Sequence, residues 1–195
     1  MKDRMKTRMK TLVSSVPRIA VAGHLLIVSV VVPLGLMAMA ERSTAQETQA
    51  SKPAPCSAPE HRQFDFWLGE WDVYAKGKLV GHNHITAILG GCVLLEQYDT
   101  PSGYEGKSIN RYDPRTERWE QTWVDNQGGV LRIAGRFVDG QMVLEGKAER
   151  SAGTILDRIT WTPNEDGTVR QFWEQSADDG ATWTTAFDGL YKKKS

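Results

Sequence analysis

From Val73 onward the chain runs as short alternating stretches cut apart by Gly, Asp and Asn, and this rhythm constrains the fold more than any other feature. The stretches are 79–89, 92–99, 103–112, 119–125, 130–138, 141–149, 155–162, 168–176 and 183–192, and each reads as a strand. Between them stand "GG" at 90–91, "TPSG", "PRTER", "NQGG", "DG" at 139–140, "SAGT", "NEDG" and "ADDGA". Gly, Asp and Asn tolerate the positive φ that tight hairpin turns require. With a strand around Trp71 the count reaches about ten. No long helical pattern intervenes, so the strands pair antiparallel. A meander of that size must hide its edges, and closure into an up-and-down barrel does so completely. A two-sheet sandwich is the alternative, but it calls for Greek-key crossings and no connection here is long enough to demand one. The expectation is an all-β, about ten-stranded barrel over residues 58–192.

Ahead of the strands lie two segments of different character. The first 18 residues carry six Lys/Arg and one acid. An apolar run follows from Ile19 to Ala40 and ends in Ala38-Met39-Ala40, with a second small-x-small site at Ser43-Thr44-Ala45. A basic head, an apolar stretch and a small-residue cleavage site make residues 1–40 a secretory signal peptide, cleaved after Ala40 or Ala45. The alternative is an uncleaved anchor, since Ile19 to Leu36 nearly reaches the length of a membrane span; Pro33 and Gly35 would break the end of such a helix. An exported chain, periplasmic or extracellular, is expected, with membrane contact only through this segment. Residues 41–57 are small and polar with no apolar periodicity, and read as a flexible spacer.

Export changes the charge. The whole chain is neutral, but beyond Ala40 there are 18 Lys/Arg against 23 Asp/Glu, a net of −5. Nucleic acid is therefore not expected as a partner, because phosphate binding needs a basic surface. In an exported chain the two cysteines, Cys56 and Cys92, are expected to form a disulfide. Only "KPAP" precedes Cys56, so there is no lipidation signal.

The stretch "FDFWLGEWDV", Phe64 to Val73, places Phe64, Trp67, Leu68 and Trp71 at i, i+3, i+4 and i+7. That is helical spacing. With Ser57 as N-cap, Pro59 in the first turn and Gly69 at C′, a short helix over about 58–68 is expected to plug one end of the barrel. Trp71 would seat its floor, and Asp65, Glu70 and Asp72 would face solvent.

Splitting the strands by face locates the unusual residues. One set mixes aromatics with uncharged polar groups: Tyr104, Gly106, Ser108, Asn110 and Tyr112; then Trp119, Gln121, Trp123 and Asp125; then Val169, Gln171, Trp173 and Gln175; and last Trp183, Thr185, Phe187, Gly189 and Tyr191. The opposite sets carry more charge, so the Trp/Gln/Asn set is taken as inward. A packed core favours Leu, Ile, Val and Phe, and buried amides without partners cost roughly 1–3 kcal/mol each. A barrel of about ten strands is also too wide for side chains alone to fill. An aromatic lumen with a few amides and hydroxyls has the character of a small-molecule cavity. The expected ligand-binding residues are Glu96, Ser108, Asn110, Tyr112, Gln121, Trp123, Gln171 and Trp173, and the ligand is small and partly apolar or lipid-like.

Glu96 interrupts "CVLLEQY" on the face of Cys92, Leu94 and Tyr98. An inward carboxylate there should pair with Arg132 or Arg170, or its pKa should rise. It could serve a ligand, or Glu96 or Tyr112 could be the acid/base of a hydrolase or isomerase. His82 and His84 in "HNH", with Glu96 on the next strand, form only a weak metal pattern, and His61 reads as a surface residue. No Ser/His/Asp set, nucleophile elbow, phosphate-binding loop or zinc pair is present. No catalytic residue, metal or cofactor is assigned. An envelope interaction or structural module, working through the barrel exterior, is the third possibility.

The same residues carry a resemblance. Gly69-Glu70-Trp71 looks like the G-x-W opening of lipocalin-like (calycin) barrels, whose Trp packs at the closed base. More closely, "EHRQFDFWLGEWDV", "GGCVLLEQY", "YEGKSINRYD", "WEQTWVD", "ITWTP", "VRQFWEQSADDGATW" and "FDGLY" resemble an uncharacterised family of exported bacterial domains opening with FDFWxGxW, over about residues 56–192. That family implies the barrel and export but no activity. The nitrobindin-like ten-stranded barrel, with its comparable LGxW, is a more distant likeness in shape and binds haem through a His near its C-terminus. No His follows His84 here, so the likeness does not extend to His-ligated haem.

Overall fold

The computed structural model describes residues 53–150 and 153–194; the expected signal peptide and most of the expected spacer lie outside them. Ten antiparallel strands form one closed barrel in which each strand pairs with its sequence neighbours and the first pairs with the last. They are β1 (Gly69–Ala75), β2 (Lys78–Ile88), β3 (Val93–Asp99), β4 (Glu105–Asp113), β5 (Arg118–Asp125), β6 (Val130–Val138), β7 (Gln141–Arg150), β8 (Gly153–Pro163), β9 (Val169–Ser176) and β10 (Thr184–Lys193). Closure leaves no edge to pair with another chain. The β6–β7 hairpin shows why the turn residues matter: Asp139 and Gly140 both take positive φ, 51° and 80°, as a two-residue turn matching the strand twist demands.

The N-terminal plug differs from the expected helix. Instead of one helix over 58–68 there are two 3₁₀ turns, Pro59–Arg62 and Asp65–Trp67, broken at Phe64. Ser57 does not cap them; Ala58 precedes the first turn without a side-chain cap. Gly69 already belongs to β1. The tighter winding suits a segment that must bring Phe64 and Trp67 into the barrel within a few residues. Phe64 stacks on Trp67 at 4.9 Å and meets Trp119 and Trp161 edge-on. Trp71 donates its indole N–H to the Trp67 carbonyl at 2.9 Å, joining floor to plug. Phe64, Trp67, Trp71 and Trp161 are all buried. The disulfide between Cys56 and Cys92, with Cα atoms 5.1 Å apart, ties the plug to the β2–β3 connection.

Two residues of the plug depart from expectation. His61 is buried, not on the surface, and lies edge-on to Tyr112 at 5.2 Å. Asp65 is partly buried with one oxygen unpartnered, and its pKa is raised by that burial. Glu70 is exposed, and Asp72 holds His82 at 2.8 Å on the outer face.

The face assignment holds along β4, β5 and β9, where the Trp/Gln/Asn set points in. It fails at the start of β10. The register with β9 shifts between Thr185 and Phe187, so Thr185 sits opposite the outward Glu174. One inserted residue reverses every side chain before it. Trp183 accordingly lies under the Arg158 guanidinium, 3.9 Å away, beside the outer Arg158–Glu174 ion pair.

Candidate functional site

Above the plug the lumen is not filled. A cavity of about 360 Å³ opens at the end of the barrel that carries the β5–β6 turn. Tyr98, Tyr104 and Trp123 line one side, and Trp173 and Phe187 line another. Since β5 and β10 stand five strands apart in a ring of ten, Trp123 and Phe187 lie across the barrel from one another.

Inward glycines make the space. The Trp123 indole lies over Gly106 on β4, the Tyr98 ring over Gly81 on β2, and the Phe187 ring over Gly189 on its own strand; a methyl group on any of these glycines would overlap the ring. Each ring is thereby laid against the wall instead of across the lumen. The pairing of large inward aromatics with neighbouring inward glycines is visible in the sequence only once the register is known.

Glu96 is the chemical centre. It is buried within the barrel and lines the cavity. Its Oε1 accepts from Asn83 Nδ2 at 2.7 Å and its Oε2 from Ser108 Oγ at 2.6 Å. Behind Ser108 the chain continues: Asn110 Nδ2 donates to Ser108 Oγ at 2.7 Å, and Gln121 Nε2 to Asn110 Oδ1 at 2.7 Å. Every donor in this arc, drawn from β2, β4 and β5, points toward the carboxyl. Neither arginine considered as a partner is available: Arg132 is exposed on the outer face and Arg170 pairs with Asp188 there. Burial without a cation pushes the Glu96 pKa up to about 7, against the opposing pull of the Ser108 and Asn83 hydrogen bonds. Burial also pushes Tyr98 up to about 12 and Tyr191 well above the phenol range.

A second polar group lies behind the other wall. Asp157, fully buried on β8, accepts from Trp173 Nε1 and Gln175 Nε2, each at 2.8 Å. Arg150, at the mouth, stands 3.9 Å from its other oxygen. Tyr191 donates to Gln171 Oε1, which orients that amide at the cavity wall.

Of the eight expected ligand-binding residues, Glu96, Gln121, Trp123, Gln171 and Trp173 line this cavity. Ser108 and Asn110 stand behind the wall as hydrogen-bond supports of Glu96 and Gln121. Tyr112 does not belong with them. It lines a separate depression of about 270 Å³ at the plug end with Gln63, Trp119 and Arg136. On a long tilted strand the same inward face serves both ends of the barrel, so parity alone could not separate Tyr112 from Ser108. Asn83, Tyr98, Arg150, Asp157 and Phe187 were not singled out from the sequence. Asn83 was hidden inside "HNH": it is the inward residue, while His82 and His84 face outward and so cannot meet the inward Glu96.

Among the described residues no group of three or more His, Cys, Asp or Glu side chains is placed to hold a metal ion, and no helix is long and apolar enough to cross a membrane. No protein-family model matches the chain, and no curated protein matches it.

Proposed function

We propose that this chain is an exported barrel that binds a small, partly apolar molecule in its lumen. The observation that carries the proposal is the open cavity of about 360 Å³, with aromatic walls around a buried carboxyl. Pockets of this size and character enclose most of a small ligand's surface and orient it through a few polar groups. The Cys56–Cys92 bridge suits an oxidising compartment, as does the resemblance to exported calycin-like domains.

The enzyme alternative, with Glu96 or Tyr112 as acid/base, keeps Glu96, a carboxyl of raised pKa in the cavity, while Tyr112 lies apart at the plug end. For an interaction module, the outer face offers Ile109, Val124 and Val130 as exposed apolar neighbours across β4–β6.

Native mass spectrometry and quenching of tryptophan emission across a panel of metabolites and lipids test the binding role. A one-to-one complex that quenches wild-type protein, with Trp123→Phe showing less quenching, is the expected result. A panel that leaves both mass and emission unchanged would rule the role out.

A further inference from the structure

The lumen has an uneven supply of hydrogen-bonding groups. Most of the donors that line it are engaged with the protein. Gln121 Nε2 goes to Asn110, Trp173 Nε1 to Asp157, Tyr104 Oη to Asp125 and Tyr98 Oη to the Val80 carbonyl. Tyr191 Oη goes to Gln171. The acceptors are less occupied. Each oxygen of Glu96 receives one donor and has a second lone pair. Among the donors, Gln171 Nε2 and the Trp123 indole N–H are the exceptions, and Arg150 is directed to Asp157.

The charges agree with this count. Asp125 and Glu96 line the cavity with Arg150 as the one basic residue, and Arg150 faces a further carboxylate in Asp157. The rings of Tyr98, Trp123, Trp173 and Phe187 present π-faces, whose negative potential attracts cations. An acceptor-rich, net acidic, aromatic cavity matches a guest that brings positive charge and several N–H groups.

We propose that the ligand is a small organic amine, bound as its ammonium or iminium-type cation, with its N–H groups donated to Glu96 and its apolar body lying between the Tyr98–Trp123 and Trp173–Phe187 walls. The inference rests on the ligand-binding role proposed above and names its substrate class. It also fixes a sign. A bound cation favours ionised Glu96, so binding at pH 7 releases a proton, and amine affinity rises as pH passes through about 7. A neutral ligand that accepts from protonated Glu96 would take a proton up and weaken over the same range. The other groups around Glu96 are silent there: Asn83, Ser108 and Gln121 do not titrate, Tyr98, Tyr104 and Tyr191 are shifted upward, and Asp125 is shifted downward.

The test uses three probes of one shape: 2-phenylethylamine, 2-phenylethanol and 3-phenylpropionate. Affinity is read by tryptophan quenching from pH 5.5 to 8.5, and proton exchange by calorimetry at pH 7 in buffers of different ionisation enthalpy. The amine is expected to bind about 10- to 100-fold more tightly than either analogue, the range of a charge-assisted hydrogen bond, with release of about half a proton. In Glu96→Gln the preference and the proton release should both vanish. Should that variant fail to fold, the pH profile of the wild type still decides. If the alcohol or the acid binds as well as the amine, or binding takes up a proton, the amine assignment falls while the binding role stands. If none of the probes and nothing in the broader panel binds, both fall.

Discussion

At the scale of single residues, Glu96 is where burial and chemistry conflict most. Its carboxyl titrates near 7 because the barrel removes water and supplies two neutral donors but no cation. The folded state therefore holds a proton that the unfolded chain, titrating near 4.5, has released. Stability from this group is fully present below about pH 4.5, is lost as pH rises toward 7, and is flat beyond. The shift corresponds to roughly 3 kcal/mol. Urea unfolding of wild type and Glu96→Gln at pH 4.5 and pH 8 should show the wild type losing about that much relative to the variant. Parallel pH profiles would mean that Glu96 is solvated. The glycines beneath the aromatic walls make a second residue-scale prediction. Gly106→Ala should force the Trp123 indole off the wall and into the lumen, at about 1–3 kcal/mol for overpacking. Shifted tryptophan emission and binding weakened by about tenfold or more are expected; unchanged emission and affinity would show that the lumen does not depend on that close approach.

At the scale of elements, the plug is held by packing and by one covalent tether. Cys56 and Cys92 are 36 residues apart, and closing a loop of that length stabilises by about 4 kcal/mol in the chain-entropy model. Cys56→Ser with Cys92→Ser should lower unfolding stability by about 2–4 kcal/mol in denaturant titrations. A loss under about 1 kcal/mol would show that the buried Phe64 and Trp67 hold the plug unaided. The strands were legible because each is bounded by a local signal. Asp139-Gly140 or Asn164 to Gly167 can end a strand without reference to anything distant. The plug was legible in its role but not in its form. The spacing of Phe64, Trp67 and Trp71 marks a buried face, yet 3₁₀ and α turns share that signal over so few residues. The β10 bulge was not legible, because Ala186 carries no mark that one extra residue is inserted there, and the orientation of Trp183 was lost with it.

At the scale of the whole molecule, function follows from a ring of ten strands that is plugged at one end and too wide to fill at the other. Alternation along β3, β5 and β9 pointed to the lumen and to five of its lining residues. It could not tell the plug end from the open end, which is why Tyr112 was grouped with Ser108 and Asn110. Nor could it show that Asn83 and Ser108 converge on Glu96, since those contacts depend on the registers β2–β3 and β3–β4. The central claim is that Glu96 is a buried, unpaired carboxyl awaiting a cation in an open lumen. The most direct measurement is a carbon-13 NMR titration of the Glu96 carboxyl, free and saturated with 2-phenylethylamine. The expected result is a midpoint near 7 in the free protein, falling by at least about one unit with the amine bound. A midpoint near 4.5 in the free protein, unmoved by the amine, would contradict the account.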